Sequence, residues 1–103
     1  MQAVVEFDLQ GHLLKANDTF LHTFGYEEGE VLGRHHRMFC DPEYAASAEY
    51  QTFWAKLGRG DPTSGEFPRV TKSGKTIWLS GSYNPVYDAK GNVIKFIKFA
   101  NDV

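Results

Sequence analysis

The sequence predicts an α+β domain: a five-stranded antiparallel sheet, with short helices and one longer helix packed over one face. Three observations carry that expectation. Thr76–Val103, TIWLSGSYNPVYDAKGNVIKFIKFANDV, is rich in Ile, Val, Phe, Tyr and Trp and alternates over its first half, which suits two long, half-buried strands. Between residues 48 and 57 the large apolar residues instead recur at helical spacing. The order along the chain is strand, strand, helices, then three strands, and strands segregated from helices favour an antiparallel sheet under a helical layer.

Taken in order, Val4–Leu9 (VVEFDL) alternates, with Val5, Phe7 and Leu9 on one face, and Gln10-Gly11 turns it into His12–Ala16. Asn17 or Asp18 caps a helix, because a short side-chain acceptor satisfies its free N–H groups. Phe20, Leu21 and Phe24 form the apolar stripe of that helix, and Gly25 ends it. Tyr26–Leu32 gives another helical turn or two, with Glu27 and Glu28 at the end where a carboxylate is favoured. Asp41-Pro42 is a helix start, an acceptor followed by a residue whose missing N–H costs nothing there. The clearest helix is Ala48–Leu57, whose inward face is Tyr50, Phe53, Trp54 and Leu57. Thr63–Thr71 (TSGEFPRVT) is a strand with Phe67 and Arg69 on one face, and Pro68 assigns it to an edge.

Ser73-Gly74 leads into the last hairpin. Its connection, Asp88-Ala89-Lys90-Gly91, has Asp first and Gly last, as a type I turn with a left-handed exit requires. In its first strand Ile77, Leu79, Gly81 and Tyr83 point one way, and Trp78, Ser80 and Ser82 the other. Lys95 and Lys98 flank a very apolar strand and are expected at its solvated rim. A helical layer over such a sheet leaves an apolar hollow where small molecules bind.

A chain of 103 residues is one domain, 1–103, burying about 60 to 70% of its unfolded surface. A net charge of -2 gives no electrostatic case for nucleic acid or an anionic membrane. One cysteine, Cys40, excludes an internal disulfide and fits a reducing compartment. With no spanning apolar run and no signal-peptide pattern, a cytoplasmic setting is expected. No Ser/His/Asp pattern, metal-spaced His/Cys set or phosphate-cradling glycine loop appears, so an enzyme is not expected. The chain stops at Asn101-Asp102-Val103, directly off a strand, as a domain excised from a longer signalling protein does.

The ordered set EFDLQGHLLKAN, FLHTFGY, EEGEVLGR, AEYQTFWAKLGRG and GEFPRVTKSGKTIWLSGSYNPVYDAKGNVIKFIKFANDV resembles a PAS domain over essentially the whole chain. Within that family it looks most like modules of bacterial chemotaxis receptors and redox or aerotaxis sensors. The resemblance implies a sensory module that binds a small ligand or cofactor and passes a conformational change to a downstream output domain. The competing expectation is a ligand-free dimerisation module.

The resemblance also frames the ligand, whose identity the sequence leaves open. The blue-light subgroup carries an adduct-forming cysteine after its Gly-Arg pair. Here Gly33-Arg34 is followed by His35-His36-Arg37-Met38, so His36 stands at that position and cysteinyl photochemistry is not expected. Haem needs a neutral imidazole on an apolar wall, and His35 and His36 are the candidates, but adjacent histidines after a glycine more simply form a polar, partly exposed turn. FAD held without covalent chemistry is the favoured chromophore. A flat isoalloxazine needs apolar walls, an aromatic for stacking and polar groups at its edge. Phe53, Trp54, Leu79, Gly81 and Tyr83 are expected as the walls, and Asn17, Arg34 and His36 at the edge. The alternative for the aromatics is plain core, and for Gly81 a twist or bulge of the sheet. On the other face, Trp78, with Ile97 and Phe99, is expected to leave the core and carry a homodimer interface.

Overall fold

The computed structural model describes Met1–Val103. Its strands are β1 (Ala3–Phe7), β2 (Leu13–Ala16), β3 (Thr63–Val70), β4 (Thr76–Tyr87) and β5 (Val93–Asp102). Between β2 and β3 lie α1 (Asp18–Phe24), α2 (Glu28–Val31), a 3₁₀ turn (His36–Phe39), α3 (Pro42–Ala45) and α4 (Ala48–Gly58). The five strands form one antiparallel sheet in the order β2-β1-β5-β4-β3. The last strand therefore takes the centre, and β3, with Pro68 opposite Trp78, takes an edge. An edge tolerates a residue that cannot donate to the ladder.

Local chemistry explains where the elements begin and end. Asn17 Oδ1 accepts from Phe20 N at 2.9 Å, capping α1, and from Val4 N at 3.0 Å, while Nδ2 donates to Gln2 O. One side chain thus fastens the helix start to β1. Asp41 caps α3 through Glu43 N and Tyr44 N, with Pro42 as the first helical residue. Ser47 Oγ accepts from Tyr50 N to start α4. In the β4–β5 turn Gly91 takes φ +84°, the left-handed exit that favours glycine, and its N–H donates to Asp88 O.

The core lies between the sheet and the helical layer. Its larger part joins Val5, Phe7, Phe20, Phe24, Phe39 and Leu79; a smaller part joins Phe53, Leu57, Tyr83 and Phe96. Each fully buried Phe or Leu stabilises the fold by about 1.5–3 kcal/mol. Leu9, expected on the inner face of the first strand, is exposed because β1 ends at Phe7.

Lys98 corrects the sequence expectation. It is 2% exposed, not at a solvated rim. Its phase explains this, since Phe96, Lys98 and Ala100 point to the same face of β5 and all three are buried. Lys95 lies on the opposite face, half-buried, and pairs with Glu6 at 2.7 Å.

Candidate functional site

The site is built around His36. His36 N donates to Gly11 O at 2.8 Å, and a bridge between His12 and His35 ties the same segment to the β1–β2 turn. The 3₁₀ turn then drives the imidazole inward, where it is 1% exposed. This corrects the expectation of a polar, partly exposed turn, which describes only His35, whose Nδ1 accepts from Arg37 N. His36 Nδ1 lies 2.8 Å from Tyr50 Oη, and Nε2 lies 2.9 Å from Tyr83 Oη. Arg69 Nη2 donates to the same Tyr83 oxygen at 2.9 Å, and Nη1 donates to Pro68 O at 2.7 Å. Phe7 and Trp54 close on the imidazole edge-on, with ring centres 5.2 Å away. Cys40, one helical step on, brings Sγ to 3.5 Å from His36 Nδ1.

Donor counting assigns the protons along this chain. Arg69 only donates, so Tyr83 Oη accepts there. Tyr83 is wholly buried, and its own hydroxyl hydrogen finds an acceptor at His36 Nε2. The neutral imidazole then carries its proton on Nδ1 and donates to Tyr50. Electrostatics agree: burial first, then the charges of Arg69 and Lys98, hold His36 well below its ordinary 6.5. Burial raises the Tyr83 hydroxyl to about 12 against the opposing pull of Arg69, and raises Tyr50 and the Cys40 thiol as well. Lys98, with Nζ 4.7 Å from the centre of the Tyr83 ring, is held well below 10.5, mainly by burial.

Of the residues the sequence pointed to, His36, Phe53, Trp54 and Tyr83 converge, and Phe53 and Tyr83 stand edge to face at 4.8 Å. Leu79 is buried in the larger core cluster. Asn17 does not join them, because both ends of its amide are used at the β1–α1 junction. Arg34 is exposed on the surface. Gly81 faces the neighbouring strand: a Cβ there would collide with Phe99 O and Ala100 Cα, so its bareness answers the β5 backbone. Sequence reasoning missed Lys98, Tyr50 as a polar partner and Arg69 as a buried cation. The signal was plain for Lys98, which shares the phase of buried Phe96 and Ala100, and weaker for Arg69, whose in-phase neighbour Phe67 is half-buried.

Comparison with known proteins now bears on this arrangement. The family model described as PAS fold matches residues 13–100. The chain belongs to the PAS family. This PAS domain is 48% identical, over 98% of its length, to the biofilm dispersion protein BdlA of Pseudomonas aeruginosa, and spans 24% of that protein. It is 33% identical over 77% of its length to the aerotaxis receptor of Escherichia coli, and the match spans 15% of the receptor. A light-oxygen-voltage domain structure studied with a flavin analogue superposes with a TM-score of 0.85 at 27% identity, covering the whole chain and 78% of the other.

The packing of this PAS domain bears directly on flavin and haem. For a flavin, the proposed wall residues pack against one another, with His36, Phe53, Trp54 and Tyr83 ring centres 4.8 to 6.2 Å apart. None of the four principal cavities is lined by His36, Trp54, Leu79 or Tyr83. A flat tricyclic ring does not fit between them in this conformation. For haem, both nitrogens of His36 are already hydrogen-bonded to tyrosines, so iron ligation through either one would break a buried bond. A cavity lies to one side, between α3, α4 and the edge strand β3, and Arg69 lines it.

Proposed function

We propose that this PAS domain is a non-catalytic sensory module of a longer cytoplasmic signalling protein. A small molecule bound at its helical face biases the sheet, and the outer face of the sheet passes the change to a second copy and to a downstream output domain. The observation that carries this reading is the two-sidedness of β4. Tyr83 is wholly buried on one face, joined to His36 and Arg69, while Trp78 is 51% exposed on the other. Ile97 and Phe99 share the outer face and are half-buried. Trp78 lies opposite Pro68 and Phe99 opposite Ser82, four residues along β4, which separates them by about 13 Å. A partner that covers both must therefore lie along the sheet.

The test is the association state of the purified chain and of Trp78→Glu by sedimentation equilibrium. Self-association should weaken by roughly 30-fold, the effect of losing an interface anchor worth about 2 kcal/mol. An unchanged association constant with an intact circular-dichroism spectrum would remove the outer face from the proposal.

A second reading, a flavin sensor, draws on the likeness to the light-oxygen-voltage structure. It requires His36, Trp54 and Tyr83 to part. The absorption spectrum of the freshly purified chain decides it, and a visible region with no flavin band leaves the first reading in place.

A further inference from the structure

The polar and charged residues buried in this molecule are His36, Arg69 and Lys98, all bases, and no carboxylate is buried with them. The ion pairs lie elsewhere, at Glu30–Lys72 and Glu6–Lys95. Arg69 is 1% exposed and keeps its charge, since a guanidinium does not deprotonate in a protein. Its neighbours are neutral: Pro68 O, Tyr83 Oη and the ring of Phe67 at 5.3 Å. Its Nε has no partner at all. A buried charge without a counter-charge is costly and is normally paired.

The missing partner has a place to sit. Arg69 lines a cavity of about 520 Å³, whose apolar walls are Phe53, Phe67 and Pro68. Thr63, on the same wall, holds its Oγ1 buried and unpartnered. We infer that this cavity binds a small organic carboxylate, its carboxylate on the unpartnered Nε edge of Arg69 and its apolar body between Phe53 and Phe67. A guanidinium with a free N–H edge suits a planar carboxylate. The rim carries Glu49, Glu66 and Lys56, all exposed. Two rim carboxylates screened by water permit one negative charge at Arg69 but disfavour a polyanion such as phosphate. This inference rests on the sensory reading above and names the class of molecule sensed.

The experiment titrates the isotope-labelled chain with acetate, hexanoate and benzoate at millimolar concentration, following backbone amide resonances, with benzamide and inorganic phosphate as controls. Hexanoate or benzoate should move the resonances of Thr63, Phe67, Arg69 and α4, and the controls should not. Arg69→Met removes the charge while keeping an apolar stem, and should weaken binding about tenfold or more. Phe67→Ala, on the edge strand, removes one apolar wall of the cavity and should weaken binding severalfold. The inference is overturned if no carboxylate shifts these resonances, if phosphate or benzamide shifts them equally, or if both variants bind like the parent. Loss of carboxylate binding alongside a retained effect of Trp78→Glu on association overturns this inference alone. Failure of both removes the sensory reading as well.

Discussion

Replacing Tyr83 by Phe isolates the hydroxyl at the junction of the buried chain. The ring contacts to Phe53 at 4.8 Å and Phe67 at 5.2 Å survive, so no cavity of consequence opens. What is lost is one oxygen that serves His36 Nε2 and Arg69 Nη2 at 2.9 Å each. Both groups are then buried without that partner, and one is charged. A buried polar group left unpaired costs about 1–3 kcal/mol, so the expected destabilisation is about 3 kcal/mol. For a domain of this size that lowers the melting temperature by roughly 15 °C. Equilibrium urea unfolding gives the number directly, with Tyr44→Phe as the control. The Tyr44 hydroxyl takes no part in the buried chain, so its removal should change stability by less than about 0.5 kcal/mol. Combining Tyr83→Phe with Arg69→Met should cost less than the sum of the two, because the cation left unpaired by the first is absent in the second. A loss below about 1 kcal/mol for Tyr83→Phe alone, or strict additivity in the double variant, would refute the donor assignment.

Other outcomes follow from the same geometry. The folded-state His36 is held below its unfolded value of 6.5, so acidification protonates the unfolded chain first; stability should be flat just above that pH and fall below it, by at most about 1.4 kcal/mol per pH unit per proton taken up. His35, also lowered by burial, adds to the same window. Lys98, lowered from 10.5, has the same sign in the alkaline range, against the opposite sign of the raised Cys40, Tyr50 and Tyr83, so as pH climbs toward 10.5 the urea midpoint of the parent should rise relative to that of Lys98→Met. Gly81→Ala should destabilise by about 3 kcal/mol, because its methyl meets β5 backbone, whereas Gly29→Ala in α2 meets nothing within 4 Å and should stabilise by about 0.5 kcal/mol. Asn17→Ala removes the cap of α1 and its ties to Val4 and Gln2, and should cost about 2 kcal/mol in thermal or urea unfolding.

Much of the fold was legible because it depends on short-range chemistry. The alternation of β4, the four-residue inward face of α4, the Asp88–Gly91 turn and the Asp41-Pro42 start all depend on residues within a turn or two of each other. Phase along a strand was legible too, and it placed Trp78 outside and Tyr83 inside. The site was legible only in part, because its bonds join residues far apart. His36 meets Tyr83 across 47 positions and Arg69 meets Tyr83 across 14. Nothing local distinguishes a histidine with two tyrosines waiting for it from one on a wet turn. For Asn17 the capping role was legible, and the structure spends both ends of its amide on the β1–α1 junction, away from His36. Lys98 shows habit overriding pattern: the same alternation that put Ile97 and Phe99 outside required Lys98 inside.

The tyrosine hydroxyl that bridges His36 and Arg69 also constrains how relatives of this chain may drift. It is a shared atom, so three positions on the 3₁₀ turn, β3 and β4 cannot vary independently. A lineage that loses the hydroxyl at 83 leaves an acceptor and a cation stranded in the interior, and it regains stability by replacing both. Chains keeping tyrosine at 83 should therefore keep a hydrogen-bonding residue at 36 and a donor at 69. Those with phenylalanine at 83 should carry apolar residues at the other two. Correlated substitution at 36, 69 and 83 is thus the evolutionary signature of one buried oxygen.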